Sequence, residues 1–228
     1  LDEMGAADNT MVIFTSDNGG MLNLGGQEAW KKGHRLSGDL LGFKFDAWEG
    51  GHRIPFIVRW PGKIKPATTS KQLICHVDML ATFAAVTGQA LGEDEGVDSY
   101  NVLDAFVGDP KGQLRNHLLI APRAEKNFTI RKGKWVYINS RGGGGFNGRS
   151  GRHICGNAPA FPFTKANNSD ITPKGKQVKG APPAQLYNLE ADLAQSTNIF
   201  KQHPEIVKEM RMLLKQIRTS KRTAPLKK

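Results

Sequence analysis

The sequence predicts an α/β domain that continues into a smaller α+β region, and three observations carry this prediction. A short apolar run at residues 11–14 stops at a polar, glycine-rich turn, which is typical of a buried strand in an α/β sheet. A second apolar strand follows at residues 54–60, and helical spacing follows at residues 77–88. Beyond a Gly-Asp-Pro linker at residues 108–112, the pattern changes to hairpins and then to an amphipathic helix.

The first strand is expected to be buried on both faces of a parallel sheet, because its apolar run is continuous rather than alternating. Open α/β sheets bind ligands just beyond the carboxyl ends of such strands. Asp17 and Asn18 stand there, and Gly19 and Gly20 let the backbone turn sharply. Their oxygens are hard ligands that suit Ca²⁺ or Mg²⁺. Because Asp-Asn-Gly is also a common turn, the residues alone leave both interpretations open.

Residues 21–41 are rich in Gly, Lys and His without clear periodicity, which predicts a long surface loop. His34 and Arg35 in this loop are expected to face water, with a contact to substrate as the alternative. Lys44 lies in an apolar patch, where a low local dielectric strengthens its attraction for an anion. The alternative for Lys44 is a side chain that extends from a surface strand into water.

The next elements are predicted from turn residues and helical spacing. Glu49 begins a Glu-Gly-Gly turn, in which Arg53 is expected either to pair with Glu49 or to cap the loop, in an architectural role. The helix at residues 77–88 ends in glycine, and a loop with a short helix at residues 96–108 does the same. The chain begins with what resembles the end of a helix leading into a strand, from which we expect it to be the C-terminal portion of a longer protein.

A domain boundary is placed at the linker, which gives one domain at residues 1–110 and a second at residues 111–228. The second domain is predicted to hold a short strand at 117–121, a hairpin at 128–138, a strand at 185–189 and a helix at 204–217. The stretches between them are expected to be irregular. One of these carries the basic residues Arg149, Arg152 and His153, for which a solvated loop and a substrate entrance are the two alternatives.

The composition and the net charge of the chain limit the classes of protein to which it can belong. Among 228 residues, 32 Lys and Arg against 21 Asp and Glu give a net charge of +11, which allows an anionic partner. Nucleic acid is not favoured, since no zinc-finger, RNA-recognition or helix-turn-helix signature is present. No apolar run approaches the roughly 20 residues of a membrane span. Cys75 and Cys155 lack metal-ligand spacing, and either a disulfide or two free thiols fit them.

Several motifs in one order resemble the sulfatase family of the alkaline-phosphatase superfamily. They are Asp17-Asn18-Gly19, the Gly-x-Lys that contains Lys44, and the Glu-Gly-Gly-x-Arg-x-Pro that begins at Glu49. The closing segment at residues 186–192, with the Thr-Asn and His-Pro-Glu that follow it, also resembles the family's last strand and helix. The resemblance covers nearly the whole chain and implies an alkaline-phosphatase-like mixed sheet flanked by helices.

The resemblance also implies site residues and cofactors. Asp17 and Asn18 correspond to two ligands of a divalent cation, Ca²⁺ or alternatively Mg²⁺. Lys44 corresponds to the family's catalytic and substrate-binding lysine, which binds a sulfate oxygen. Family members use a formylglycine nucleophile made from Cys or Ser in a Cys/Ser-x-Pro/Ala-x-Arg motif. The sequence around Cys75 and Cys155 departs from that motif, so the nucleophile and the remaining ligands are expected upstream, and the chain alone is expected to be inactive.

Three functions are therefore compared. The first is hydrolysis of a sulfate ester, arylsulfatase-like, on a sulfated small molecule or polysaccharide, with a secreted or periplasmic location implied by the family. The second is a phosphodiesterase or phosphonate hydrolase of the same superfamily, which would usually bring more His and Asp ligands around two metals. The third is a non-catalytic module that binds anionic glycans through its basic surface. The sequence predicts no particular ester and no oligomeric state.

Overall fold

The computed structural model describes residues 1–108, 110–123, 125–145 and 160–226. The strands are β1 (Val12–Thr15), β2 (Phe56–Arg59), β3 (Leu118–Ile120), β4 (Thr129–Lys132), β5 (Trp135–Ile138) and β6 (Gln185–Asn188). The α-helices are α1 (Leu24–Lys31), α2 (Glu49–His52), α3 (Met79–Val86), α4 (Leu103–Val107), α5 (Ala160–Thr164) and α6 (Pro204–Ser220). Short 3₁₀ turns lie at Ala7–Asn9, His76–Asp78 and Glu125–Asn127.

The chain forms two compact units, and each is assembled from separate stretches of sequence. The first comprises Leu1–Thr15, Pro55–Leu118 and Lys215–Lys228, and the second comprises Ser16–Ile54 and Leu119–Leu214. The domain boundary placed at residue 110 stays a prediction. Each of the two compact units combines segments from both sides of that residue.

The first unit contains a two-stranded antiparallel sheet, in which Val12 of β1 lies opposite Arg59 of β2. Phe56 and Val58 of β2 pack against a core of Val102, Ala105 and Phe106. The other face of the sheet is open, and the side chain of Phe14 is 64% exposed. Within the described residues, the strand partner of β1 is antiparallel rather than parallel. Burial of β1 on both faces stays a prediction for the complete protein, because the other strands of its sheet are expected upstream of this chain.

The helices and the hairpin follow the predicted pattern. α3 and α4 end before glycines in the left-handed conformation, where Gly88 has φ +68° and Gly108 has φ +88°. β4 and β5 form the expected antiparallel hairpin around Gly133, and β6 pairs antiparallel with β5. α6 runs three residues beyond the predicted end. Its buried side chains recur at helical spacing, as predicted for an amphipathic helix: Val207, Met210, Leu214 and Ile217.

Residues 21–41 are more regular than expected, because they contain α1. Asn23 caps this helix, with its side-chain oxygen accepting a hydrogen bond from the backbone N–H of Gly26. The two glycines at its first turn conceal the helix in the sequence, since glycine disfavours helices by about 1 kcal/mol. Packing overrides this preference: Trp30 and Leu36 cover a small buried cluster around Leu22.

Hydrogen bonds in the core of the second unit fix the position of Trp48 and Glu49, which lie next to the candidate site. The indole of Trp48 is fully buried and donates a hydrogen bond to the side-chain oxygen of Gln185 on β6, at 2.9 Å. The backbone N–H of Glu49 donates to the side-chain oxygen of Gln195, at 2.7 Å. These bonds fix the start of α2 against the antiparallel sheet, and Val136 and Tyr187 belong to the same cluster as Trp48.

Candidate functional site

The Asp-Asn-Gly-Gly turn is held by direct backbone contact with α2. The N–H of Gly19 donates to the carbonyl oxygen of Gly51, at 3.0 Å. A Cβ atom added to Gly19 would overlap the carbonyl oxygen of Gly50, and one added to Gly51 would overlap that of Asp46. Glycine is therefore required at both positions by close approach of the backbone. The Asp-Asn-Gly motif and the Glu-Gly-Gly motif recognised in the sequence are therefore in direct contact with each other.

Lys44 is fixed to the same turn through its backbone. Its N–H donates to the carbonyl oxygen of Gly20, at 2.8 Å. The loop around it closes locally, since the N–H of Asp46 donates to the carbonyl of Phe43 and the N–H of Phe43 donates to the carboxylate of Asp46, both at 2.9 Å. Lys44 thus begins from a backbone position that is set by the turn carrying Asp17.

The side chains of Asp17 and Lys44 lie on one surface. Lys44 Nζ is 4.0 Å from Asp17 Oδ2, and the two side chains are 32% and 83% exposed, respectively. At this distance in contact with water, the attraction between them is weak. The Asp17 carboxylate is therefore open to a ligand on its solvent side. Asn18 is half-buried next to it, and its backbone carbonyl accepts a hydrogen bond from the Ser16 hydroxyl.

Glu49 is the buried charge of α2. Its carboxylate lies 3.1 Å from Arg53 and 3.6 Å from Arg131, and His52 Nε2 is 3.3 Å from it. Burial by itself raises the pKa of Glu49, but the hydrogen bond with His52 and the nearby Arg131 and Arg53 guanidinium groups outweigh it and lower that pKa. The predicted pairing of Glu49 with Arg53 is confirmed.

Arg131 and Gln195 are partners of Glu49 that the sequence did not identify. They lie 82 and 146 residues away from it in the chain, and no spacing rule connects positions so far apart. One signal was available for Arg131. In the sequence, it is a charged residue that follows the apolar Ile130 within the predicted hairpin. In the structure, burial lowers the pKa of the Arg131 guanidinium, and the nearby Glu49 carboxylate opposes that shift.

The remaining candidates stay outside this site. His34 and Arg35 are exposed, as expected, and the Arg35 guanidinium lies 4.2 Å from the centroid of the Trp30 ring. Arg149, Arg152, His153 and Cys155 lie outside the described residues. Cys75 is a free thiol among the described residues. Burial and the nearby Asp78 carboxylate raise the pKa of that thiol, which disfavours the nucleophilic thiolate.

Asp17 and Asn18 fit a cation as part of a ligand set. Within the described ranges, no group of three or more His, Cys, Asp or Glu side chains is placed to hold a metal ion. Calcium takes six to eight oxygen ligands. An exposed carboxylate and an adjacent amide on a glycine-fixed turn have the right chemistry for such an ion, and further ligands are required to complete the shell.

Comparison with known proteins gives a consistent family. The sulfatase family model matches residues 1–89. The N-acetylgalactosamine-6-O-sulfatase of Bacteroides thetaiotaomicron is 35% identical over 224 residues, which cover 96% of this chain and 38% of that enzyme. The human N-acetylgalactosamine-6-sulfatase is 27% identical over 218 residues, covering 90% of this chain and 40% of that enzyme.

The fold agrees with these matches. A solved structure from work on glycosaminoglycan metabolism by Bacteroides thetaiotaomicron superposes with a TM-score of 0.72 at 34% identity. The superposition covers 96% of this chain and 41% of that one, so the chain spans about two fifths of the length of the relatives it matches. In the part of the chain that the structure describes, no helix combines the length and the apolar character needed to cross a bilayer. Sequence and fold together assign this chain to the sulfatase family.

Proposed function

We propose that the complete protein hydrolyses a sulfate ester and that this chain supplies one wall of its active site. The observation that carries the proposal is the pairing of Lys44 with Asp17, 4.0 Å apart at an open surface, on a turn locked to α2 by backbone contact. A cation and an adjacent carboxylate that both remain accessible are suited to a site that receives an anionic group together with a metal ion.

Lys44 is the substrate-binding and catalytic group in this proposal. Its ammonium would bind an oxygen of the sulfate group and stabilise the negative charge that develops towards the leaving group. The half-buried position of the side chain favours this role, because partial exclusion of water strengthens the attraction between an ammonium and an anion.

Asp17 and Asn18 would hold the divalent cation, for which we propose Ca²⁺, with Mg²⁺ as the alternative. Both side chains provide hard oxygen donors, and Asp17 contributes the negative charge that such an ion needs. When bound, a divalent cation supplies Lewis-acid polarisation of the sulfate and compensates its negative charge. Formylglycine is the nucleophile proposed for the complete protein, supplied by sequence outside this chain.

A sulfated sugar is the proposed substrate class. The Bacteroides relative and the human relative are both named for sulfate at position 6 of N-acetylgalactosamine, and the net charge of +11 suits an anionic glycan. N-acetylgalactosamine 6-sulfate is accordingly the first substrate to test, with an aryl sulfate as a convenient reporter. A secreted or periplasmic location is proposed with this substrate.

The test is Lys44→Ala in the complete protein. We expect kcat/KM for the sulfate ester to fall about 10²- to 10³-fold, the usual size of the loss when one donor to developing charge is removed. Lys32→Ala is the matched control, because Lys32 is an exposed lysine elsewhere in the same unit. Normal turnover by Lys44→Ala would refute the assignment.

Asp17→Ala tests the cation site separately. We expect weaker Ca²⁺ binding by titration calorimetry and loss of the activity that Ca²⁺ restores after chelation, whereas Asp39→Ala, at another exposed aspartate, leaves both unchanged. Faster hydrolysis of phosphate esters than of sulfate esters would instead favour the phosphodiesterase. Glycan binding by residues 1–228 that ignores both Asp17 and Lys44 would favour the non-catalytic module.

A further inference from the structure

Phe45, the residue after Lys44, has a backbone conformation that side-chain-bearing residues rarely adopt. Its φ is +84°, whereas Lys44 has no positive φ. The hydrogen bond from the N–H of Asp46 to the carbonyl of Phe43 makes residues 43–46 a β-turn. A positive φ at the third position but not at the second is characteristic of a type II turn, in which glycine or asparagine normally occupies the third position.

The turn itself is required by its surroundings. Lys44 is bonded to the Gly20 carbonyl, and Asp46 O lies so close to Gly51 that no Cβ fits between them. These contacts explain why the chain turns here, but they do not explain the choice of residue. Glycine would satisfy every one of these backbone contacts and would remove the strain of a left-handed phenylalanine.

The aromatic ring has one contact that bears on the candidate site. Its centroid lies 5.5 Å from Lys44 Nζ, within the range in which an aromatic face attracts an ammonium. Phe45 is half-buried, and its ring contacts the same ammonium group that lies 4.0 Å from the Asp17 carboxylate. Strained residues are retained where a site depends on their side chains.

We propose that Phe45 is a positioning residue for Lys44: its ring restrains the ammonium at the surface shared with Asp17, and this is why a phenylalanine occupies a glycine position. The inference rests on the proposed function, in which Lys44 binds the sulfate group. It adds a determinant of how Lys44 is oriented, outside the motif residues themselves.

Lys165 provides a matched control for the backbone effect. It has φ +58° and is exposed, and its N–H donates to the carbonyl of Phe161 at the end of α5. Lys165→Gly should relieve the same kind of strain in the same unit. We expect Lys165→Gly to raise the melting temperature of the complete protein by about 1–2 °C, whereas in Phe45→Gly the loss of a half-buried ring offsets the relief of strain.

The two glycine variants should differ in activity. We expect Phe45→Gly to lose about two- to fivefold or more in kcat/KM for an aryl sulfate, and Lys165→Gly to keep its activity. Phe45→Leu, which keeps an apolar side chain without the aromatic face, should lose about two- to fivefold, and Phe45→Tyr should stay close to the unmodified protein. A Phe45→Gly variant that is fully active would overturn the proposal.

A double-mutant cycle separates positioning of Lys44 from a direct contact with substrate, with inorganic sulfate as the probe. Phe45→Leu should raise the Kd for sulfate about two- to fivefold when Lys44 is present and should have almost no effect on it in Lys44→Ala. Equal losses in both backgrounds would show that the ring acts without Lys44 and would overturn the inference.

The failure of this inference can be told apart from the failure of the proposed function. Turnover that depends on Lys44 but is indifferent to every Phe45 variant refutes the positioning role and leaves the proposed function standing. Turnover that is indifferent to Lys44→Ala refutes the proposed function, and the role of Phe45 is refuted with it.

Discussion

Each of the two units contains an ion pair, and the two pairs differ in their exposure to solvent. In the first unit, Asp78 and Arg115 are 0% and 1% exposed and lie 2.6 Å apart. In the second, Asp17 and Lys44 lie 4.0 Å apart at an open surface. The same two charges are therefore enclosed in one place and left accessible in the other.

The enclosed pair has no capacity left for a ligand. Asp78 accepts hydrogen bonds from Arg115 and from the backbone N–H groups of Cys75 and Tyr100. Arg115 also donates to the carbonyl oxygens of Asp98 and His117. A pair whose bonds are all made within the protein stabilises the fold, whereas a pair with free coordination positions is suited to bind something else. The accessibility of Asp17 and Lys44 therefore supports, in addition to their motifs, the proposal that they bind a ligand.

The largest expected effect comes from breaking the enclosed pair. We expect Asp78→Ala to lower the free energy of unfolding by about 3–5 kcal/mol, because Arg115 would be left as a buried charge without its partner. Urea denaturation of Asp78→Ala and of the milder Asp78→Asn measures this loss. Asp94→Ala, at an exposed aspartate of the same unit, should stay within about 0.5 kcal/mol. A loss below about 1 kcal/mol for Asp78→Ala would show that the enclosed pair stabilises the fold little more than the exposed pair does.

The sequence predicted those features that local rules determine. The glycine-terminated helices α3 and α4, the hairpin around Gly133 and the amphipathic α6 follow from periodicity and turn chemistry. The fold class and the family followed from the order of several motifs. The roles of Lys44, Asp17 and Asn18 stay predictions, and the structure adds that Lys44 and Asp17 share a surface.

Features that depend on tertiary contacts were missed. α1 escaped detection because its glycines disfavour a helix that packing then stabilises. The antiparallel pairing of β1 with β2 could not be inferred from an apolar run, because the run describes what a strand is able to bury and not the direction of its partner. The contact of Arg131 with Glu49 joins β4 to α2 across 82 residues, a separation that no local pattern spans.

An intermediate effect is expected at Glu49, which is enclosed like Asp78 but lies beside the candidate site. Its lowered pKa means that the fold favours the carboxylate, so the stabilisation is fully present above the ordinary pKa of about 4.5. It is lost as the pH falls below 4.5 and through the lower pKa of the folded state. We expect Glu49→Gln to cost about 1–3 kcal/mol at pH 7, with a difference from the unmodified protein that shrinks on acidification.

Unfolding by urea at pH 7, 5 and 3 measures this change for Glu49→Gln. Glu190→Gln is the control, since Glu190 belongs to the same unit but is exposed and lies 3.7 Å from Lys134. Its pH profile should match that of the unmodified protein. Parallel profiles for Glu49→Gln and the unmodified protein would mean that His52, Arg53 and Arg131 do not stabilise the carboxylate.

The smallest effect on stability is expected at the open pair, and it is the one that separates the two classes of pair most sharply. Asp17→Ala should change the free energy of unfolding by no more than about 0.5 kcal/mol, because a carboxylate that is 83% exposed gains little from an ammonium 4.0 Å away. Urea denaturation at low and at high salt measures this, and any small contribution should disappear as salt screens it. If Asp17→Ala instead destabilised the protein by several kcal/mol at both salt concentrations, Asp17 would be a structural residue like Asp78, and its openness to a cation would no longer explain why a carboxylate stands at this turn.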